Sequence, residues 1–132
     1  MIKKERRHLP DTRRSVTHKA HIGAICELYL TVGLFEDGAP GELFIVIGKE
    51  GSELAGAYDA FGIAVSMLLQ SGFSIEELTL KFGHTRSEPN GFTGNPDVPN
   101  AKSIPDYIFQ WMTFMWGNKK AFLTFRTNEE QV

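Results

Sequence analysis

The sequence predicts an α+β fold, an antiparallel hairpin-based sheet covered by two to three helices, and three observations carry that expectation. Apolar residues alternate with others from Glu27 to Phe35; a turn-rich run joins this stretch to a second apolar segment; and three later segments repeat apolar residues at spacings of three and four, each opening on a serine.

The first strand places Leu28, Leu30, Val32 and Leu34 on one face and Tyr29, Thr31 and Phe35 on the other. Glu36 to Gly41 holds the glycines and proline of a reversal, so Glu42 to Ile47 is expected to return as an antiparallel partner. After Gly48 and Gly51, Ser52 can cap a helix that buries Leu54, Tyr58, Phe61, Val65, Leu68 and Leu69 and stops at Gly72. Ser74 with Glu77 forms a capping box for a helix of about two turns carrying Leu78 and Phe82 and ending near Gly83. From His84 to Lys102 there are three prolines and no periodicity, which reads as a connection long enough to be functional or disordered. Ser103 with Asp106 caps a third helix bearing Ile104, Ile108, Trp111, Met112 and Met115, ended by Gly117, and Ala121 to Phe125 reads as an edge strand.

Of the 132 residues, 42% are hydrophobic and 23% charged, the balance of a globular chain of one domain's length. No run approaches the roughly 18 apolar residues of a membrane span, and the first thirty residues lack a secretory core, so a cytoplasmic, membrane-free protein is expected. The net charge of −2 is unevenly spread. Residues 1–19 hold seven Lys or Arg against Glu5 and Asp11, a net +5, which leaves −7 for the remainder. This divides the chain into a basic arm, 1–19, and a single α+β domain, 20–132; the arm reads as a solvated tail or a strap over an acidic partner surface, with phosphate contact as the rival.

Two stretches offer anion chemistry. Lys49 and Ser52 lie where a strand hands over to a helix start, whose free amides favour an anion, although the Walker spacing is absent and a plain turn competes. Lys81, His84, Thr85 and Arg86 crowd the end of the short helix, ahead of Thr93 and Asn95 in the long connection, and together they offer donors to a phosphate, ribose or base. The structural alternative has Lys81 and His84 complementing a helix terminus and Arg86 pairing with Glu88 or another acid to pin the loop. His8, His18, His21 and His84 show no metal-ligand spacing, the lone Cys26 excludes an internal disulfide, and no cofactor or catalytic residue is expected.

Longer motifs carry a family resemblance. Arg7 to Lys19 (RHLPDTRRSVTHK), Thr31 to Ile45 (TVGLFEDGAPGELFI), then KEGSELAGAYDAFGIAVS, KFGHTRSEPNGFTGNP and AKSIPDYIFQWM resemble, in order and spacing, the TSCPD domain that forms the carboxy-terminal part of adenosylcobalamin-dependent ribonucleotide reductases, here as a stand-alone chain. Ser103, Pro105 and Asp106 match letters of the family's name, while Lys102 and Ile104 replace its Thr and Cys and Ser87 replaces an expected aromatic residue. The resemblance implies an association with deoxynucleotide synthesis. It also implies that catalysis is missing, because the reductase reaction uses a radical cysteine and a reducing pair and this chain has one cysteine.

The expected function is therefore a non-catalytic, nucleotide-related ligand-binding or accessory module. One alternative is a phage-type sponge that sequesters a cyclic or modified nucleotide signal; another is a regulatory or assembly subunit of a separately encoded ribonucleotide reductase. Self-association is expected through the third helix, since Trp111, Phe114, Met115 and Trp116 make it apolar nearly all round.

Overall fold

A computed structural model describes residues 5–24, 26–48 and 52–118. It divides into two compact units, one built from the chain through Ala20 and from Glu27–Phe73, the other from His21–Cys26 and the chain from Ser74 onward. The elements are antiparallel strands and three helices, the α+β arrangement expected.

In the first unit, strands β1 (Ser15–Ile22), β2 (Cys26–Leu34) and β3 (Pro40–Gly48) form a sheet in that order. Leu28 faces Ile47, Leu30 faces Ile45 and Val32 faces Leu43 across the antiparallel β2–β3 ladder, and all six are buried. The other face shows Phe44 and Val46 to solvent, as period-two alternation requires. Helix α1 (Ser52–Gln70) packs along β3 and covers its outer edge. Ser66 makes that fit polar as well as close: its Oγ accepts from the Leu43 N–H at 2.8 Å and donates to the Gly62 carbonyl at 2.7 Å. Val65 and Leu69 are buried in α1 as expected, while Leu54, Tyr58, Phe61 and Leu68 are only half-buried.

The N-terminal segment is strapped onto this same unit. The Arg7 backbone N–H donates to the Gln70 carbonyl at 2.8 Å, the Arg6 Nε donates to Gln70 Oε1 at 2.7 Å, and the Arg7 guanidinium lies 3.9 Å over the Phe35 ring while pairing with Asp37 at 3.2 Å. Arg13 pairs with Glu42 at 2.7 Å. Gly33 stands opposite Glu42, and a Cβ there would collide with the Glu42 side chain, so the glycine leaves the room in which that carboxylate lies. Ser15–Lys19, grouped with the basic arm in the sequence, belong to strand β1.

In the second unit, helix α2 (Ile75–Phe82) opens with the capping box: Glu77 N–H donates to Ser74 Oγ at 3.1 Å and Ser74 N–H to Glu77 Oε2 at 3.0 Å. Helix α3 (Ile104–Trp116) packs against it, with Phe82 stacked on Phe109 and Thr79 Oγ1 within 2.9 Å of Thr113 Oγ1. Between them the connection is folded, not irregular: β4 (Gly91–Asn95) and β5 (Val98–Ala101) form a hairpin against α3. Trp111 is buried and Trp116 half-buried, with their rings edge to face, so the unit itself absorbs much of α3's apolar circumference; Phe114 and Met115 stay exposed. The strand expected at Ala121–Phe125 lies outside the described residues.

Candidate functional site

The segment from His84 to Lys102 is organised by one buried carboxylate. Asp106, in the first turn of α3, is fully buried; its Oδ1 accepts from the His84 backbone N–H at 3.1 Å and its Oδ2 from the Lys102 backbone N–H and Gln110 Nε2, both at 2.9 Å. Its own N–H donates to Ser103 Oγ at 3.1 Å, which caps the helix, and Ser103 Oγ lies 2.9 Å from Thr85 Oγ1. A carboxylate removed from water needs all its lone pairs occupied, and these donors come from both ends of the connection. His84 reaches its place with φ at 70°, in the left-handed region that histidine visits more readily than most residues. The Ser103–Pro105–Asp106 motif is thus a clasp that closes residues 84–102 onto α3.

Within that clasp the expected site residues separate into two groups. Thr85, Thr93 and Asn95 spend their polar atoms on the fold: Thr85 Oγ1 on the Phe82 carbonyl and Ser103, Thr93 Oγ1 on the Val98 carbonyl, and the Asn95 side chain on the Tyr107 hydroxyl and the Asp97 N–H. These contacts hold the hairpin and its turn; Thr93 is buried and Asn95 half-buried. Burial raises the Tyr107 hydroxyl above its ordinary pKa, against the Asn95 hydrogen bond, so it stays protonated. Lys81 and Arg86 form the second group, exposed and making no hydrogen bond or ion pair among the described residues; Arg86 does not pair with Glu88. His84 is exposed and keeps contacts of its own. Lys49 lies outside the described residues, and Ser52 begins α1 with an undescribed side chain. Within the second unit, the six expected residues therefore divide between the fold's own hydrogen bonds and an exposed face.

The sequence did not single out a groove of about 400 Å³ in the first unit, lined by Phe44, Val46, Ile63 and Met67 together with Arg6 and Asp59. Alternation in β3 and helical spacing in α1 contained that signal, but only the packing of α1 along β3 brings the two apolar rows together. Cys26 is buried. Among the described residues no three His, Cys, Asp or Glu stand together as metal ligands would, and no helix is long and apolar enough to cross a membrane.

Comparison with known proteins places this geometry in a family. The TSCPD domain matches residues 3–114. The chain is 52% identical over 120 residues to a vitamin B12-dependent ribonucleotide reductase of Rhodopirellula baltica, covering 89% of this chain and 11% of that protein. It is 45% identical over 105 residues to the enzyme of that name from Streptantibioticus cattleyicolor, covering 80% and 17%, and 41% identical over 110 residues to the one from Agrobacterium fabrum, covering 83% and 9%. The chain thus spans about a tenth to a sixth of the length of these relatives, and no solved structure matches it. With that match running from the N-terminal strap into the last turn of α3, the chain belongs to the TSCPD domain family.

Proposed function

We propose that the chain is a non-catalytic, nucleotide-related accessory module of ribonucleotide reduction that takes a phosphate-bearing ligand at Arg86, supported by Lys81. The observation that carries this reading is the Asp106 clasp, which fixes the loop's backbone from within and leaves the Arg86 guanidinium exposed with no partner among the described residues. A guanidinium on a fixed support offers paired donors to a phosphate without the entropy of ordering a loop. The names of the relatives supply the metabolic context, and the single, buried Cys26 supports the non-catalytic part.

Calorimetric titration of nucleotides against wild type and Arg86→Ala tests the proposal. A charge-assisted contact contributes about 1.5–3 kcal/mol, so the variant is expected to bind roughly 10- to 150-fold more weakly with an unchanged melting curve. Unchanged affinity with lowered stability would reject the site.

A second reading, docking onto a reductase, draws on the exposed Phe44, Val46, Ile63 and Met67, an apolar group of the kind that marks protein contacts. The relatives, which carry this domain within a much longer chain, suggest the partner. Phe44→Asp with Ile63→Asp is expected to abolish co-elution with a B12-dependent reductase lacking the domain; retained co-elution rejects this face.

A further inference from the structure

Phe92, in β4, is the most exposed large apolar side chain among the described residues, at 82%. Its backbone is nonetheless tied down, and so are its neighbours in the strand. Its carbonyl accepts from the Gly23 N–H at 2.9 Å, the next residue, Thr93, is buried and bonded to the Val98 carbonyl, and Asn95 is tied to Tyr107 at 3.1 Å. Gly91 holds φ at 128°, a backbone conformation that favours glycine, where the hairpin meets Gly23. A solvent-facing ring on a hydrogen-bonded backbone has no polar handle of its own, and the surface it complements is flat and apolar.

The neighbours of Phe92 narrow the choice of ligand. Asn100 stands directly opposite in the antiparallel β4–β5 ladder, so the two side chains share the outer face. Asn100 is exposed, and its side-chain amide makes no hydrogen bond among the described residues. Further along the same chain the Lys102 carbonyl accepts from the Ser87 N–H at 3.1 Å, which sets the Arg86–Ser87 segment beside Lys102, the residue that follows β5. An aromatic face and an amide therefore stand side by side on the hairpin, and the segment that carries the exposed Arg86 runs past the end of β5.

We infer that the outer face of the β4–β5 hairpin is a base-stacking platform for a nucleoside phosphate, with Phe92 against the base, Asn100 at the base edge and Arg86 on the phosphate. This rests on the reading of Arg86 as a phosphate ligand and adds to it the base, which is what makes the ligand a nucleotide and not a simple polyphosphate. Stacking tolerates any base, whereas the Asn100 amide, with a donor and an acceptor side by side, matches the exposed edge of adenine best.

The test titrates the full chain by calorimetry with ATP, GTP, CTP, UTP and inorganic tripolyphosphate. The nucleotides are expected to bind more tightly than tripolyphosphate, ATP most tightly. Phe92→Ala should weaken nucleotide binding roughly 5- to 150-fold and leave tripolyphosphate unchanged, while Arg86→Ala weakens both. Phe92→Leu, which keeps the apolar bulk without the flat ring, should behave as Phe92→Ala and guards against a folding effect. Equal affinity for ATP and tripolyphosphate, both lost in Arg86→Ala, overturns the platform and keeps the phosphate reading. Nucleotide binding that survives both Phe92 substitutions overturns it as well, and no binding of any probe by wild type overturns both readings.

Discussion

At the scale of single residues, Asp106 decides most. Its spacing from Ser103 is legible in sequence as a helix cap, and that cap is present. Its larger role was not legible, because two of the donors it gathers are backbone N–H groups of His84 and Lys102, which no side-chain pattern announces. The same gap explains why Thr85, Thr93 and Asn95 looked like ligand groups: their type fits both a ligand and a backbone carbonyl, and the fold uses them for itself. Asp106→Asn replaces one carboxylate oxygen with a donor aimed at donors. The expected loss is about 3 kcal/mol, a fall in melting temperature of about 10 °C, together with weakened nucleotide binding. Arg86→Ala, by contrast, should alter binding alone, and melting curves of the two variants side by side check the distinction.

At the scale of elements, the sequence foretold those in which local and tertiary signals agree. The β2–β3 hairpin had alternation and a turn, and α1, α2 and α3 each had a capping serine and a glycine stop. Strand β1, SVTHKAHI, was hidden because an edge strand with an exposed, basic outer face shows charge before it shows period two. Strands β4 and β5 are five and four residues long, and only Thr93, Val98 and Ala101 point inward, too few for a periodicity. The packing of α1 on β3 gives a prediction whose sign runs against helix propensity. Gly62 lies mid-helix, where alanine normally gains up to about 1 kcal/mol. A Cβ there would meet the Leu43 carbonyl oxygen at 2.8 Å, so Gly62→Ala is expected to destabilise by about 1–3 kcal/mol in urea unfolding. Increased stability would show that α1 does not approach β3 this closely.

At the scale of the whole molecule, the charge imbalance along the chain acquires a physical meaning. The excess of +5 in residues 1–19 against −7 elsewhere invites an arm that seeks phosphate or an acidic partner. Instead Arg7 and Arg13 find Asp37 and Glu42 of their own unit, and the Arg7 ring contact and backbone hydrogen bond add to the hold. The Ala39 N–H and the Arg7 guanidinium keep the Asp37 carboxyl below the usual carboxylate range. A carboxyl whose folded value is lowered contributes stability above its unfolded value near 3.8 and loses that contribution as pH falls through the folded value. NMR titration is therefore expected to show Asp37 protonating below pH 3.8, with that shift reduced in Arg7→Ala.

Salt separates an internal strap from a free basic arm. Added salt screens the exposed Arg7–Asp37 pair, while Arg13–Glu42, whose carboxylate is only 12% exposed, is screened less. Between low and about 0.5 M salt the melting temperature should therefore fall slightly for wild type and less for Arg7→Ala, whose pair is already absent. Removing residues 1–13 should lower the melting temperature by several degrees, because it takes away both ion pairs, the Phe35 contact and the Gln70 hydrogen bonds together. A free arm gives the opposite pattern: truncation leaves melting unchanged and abolishes a salt-sensitive affinity for nucleic acid. Melting curves at two salt concentrations, paired with a fluorescent oligonucleotide titration of intact and truncated chains, therefore decide whether these charges serve the fold or a partner.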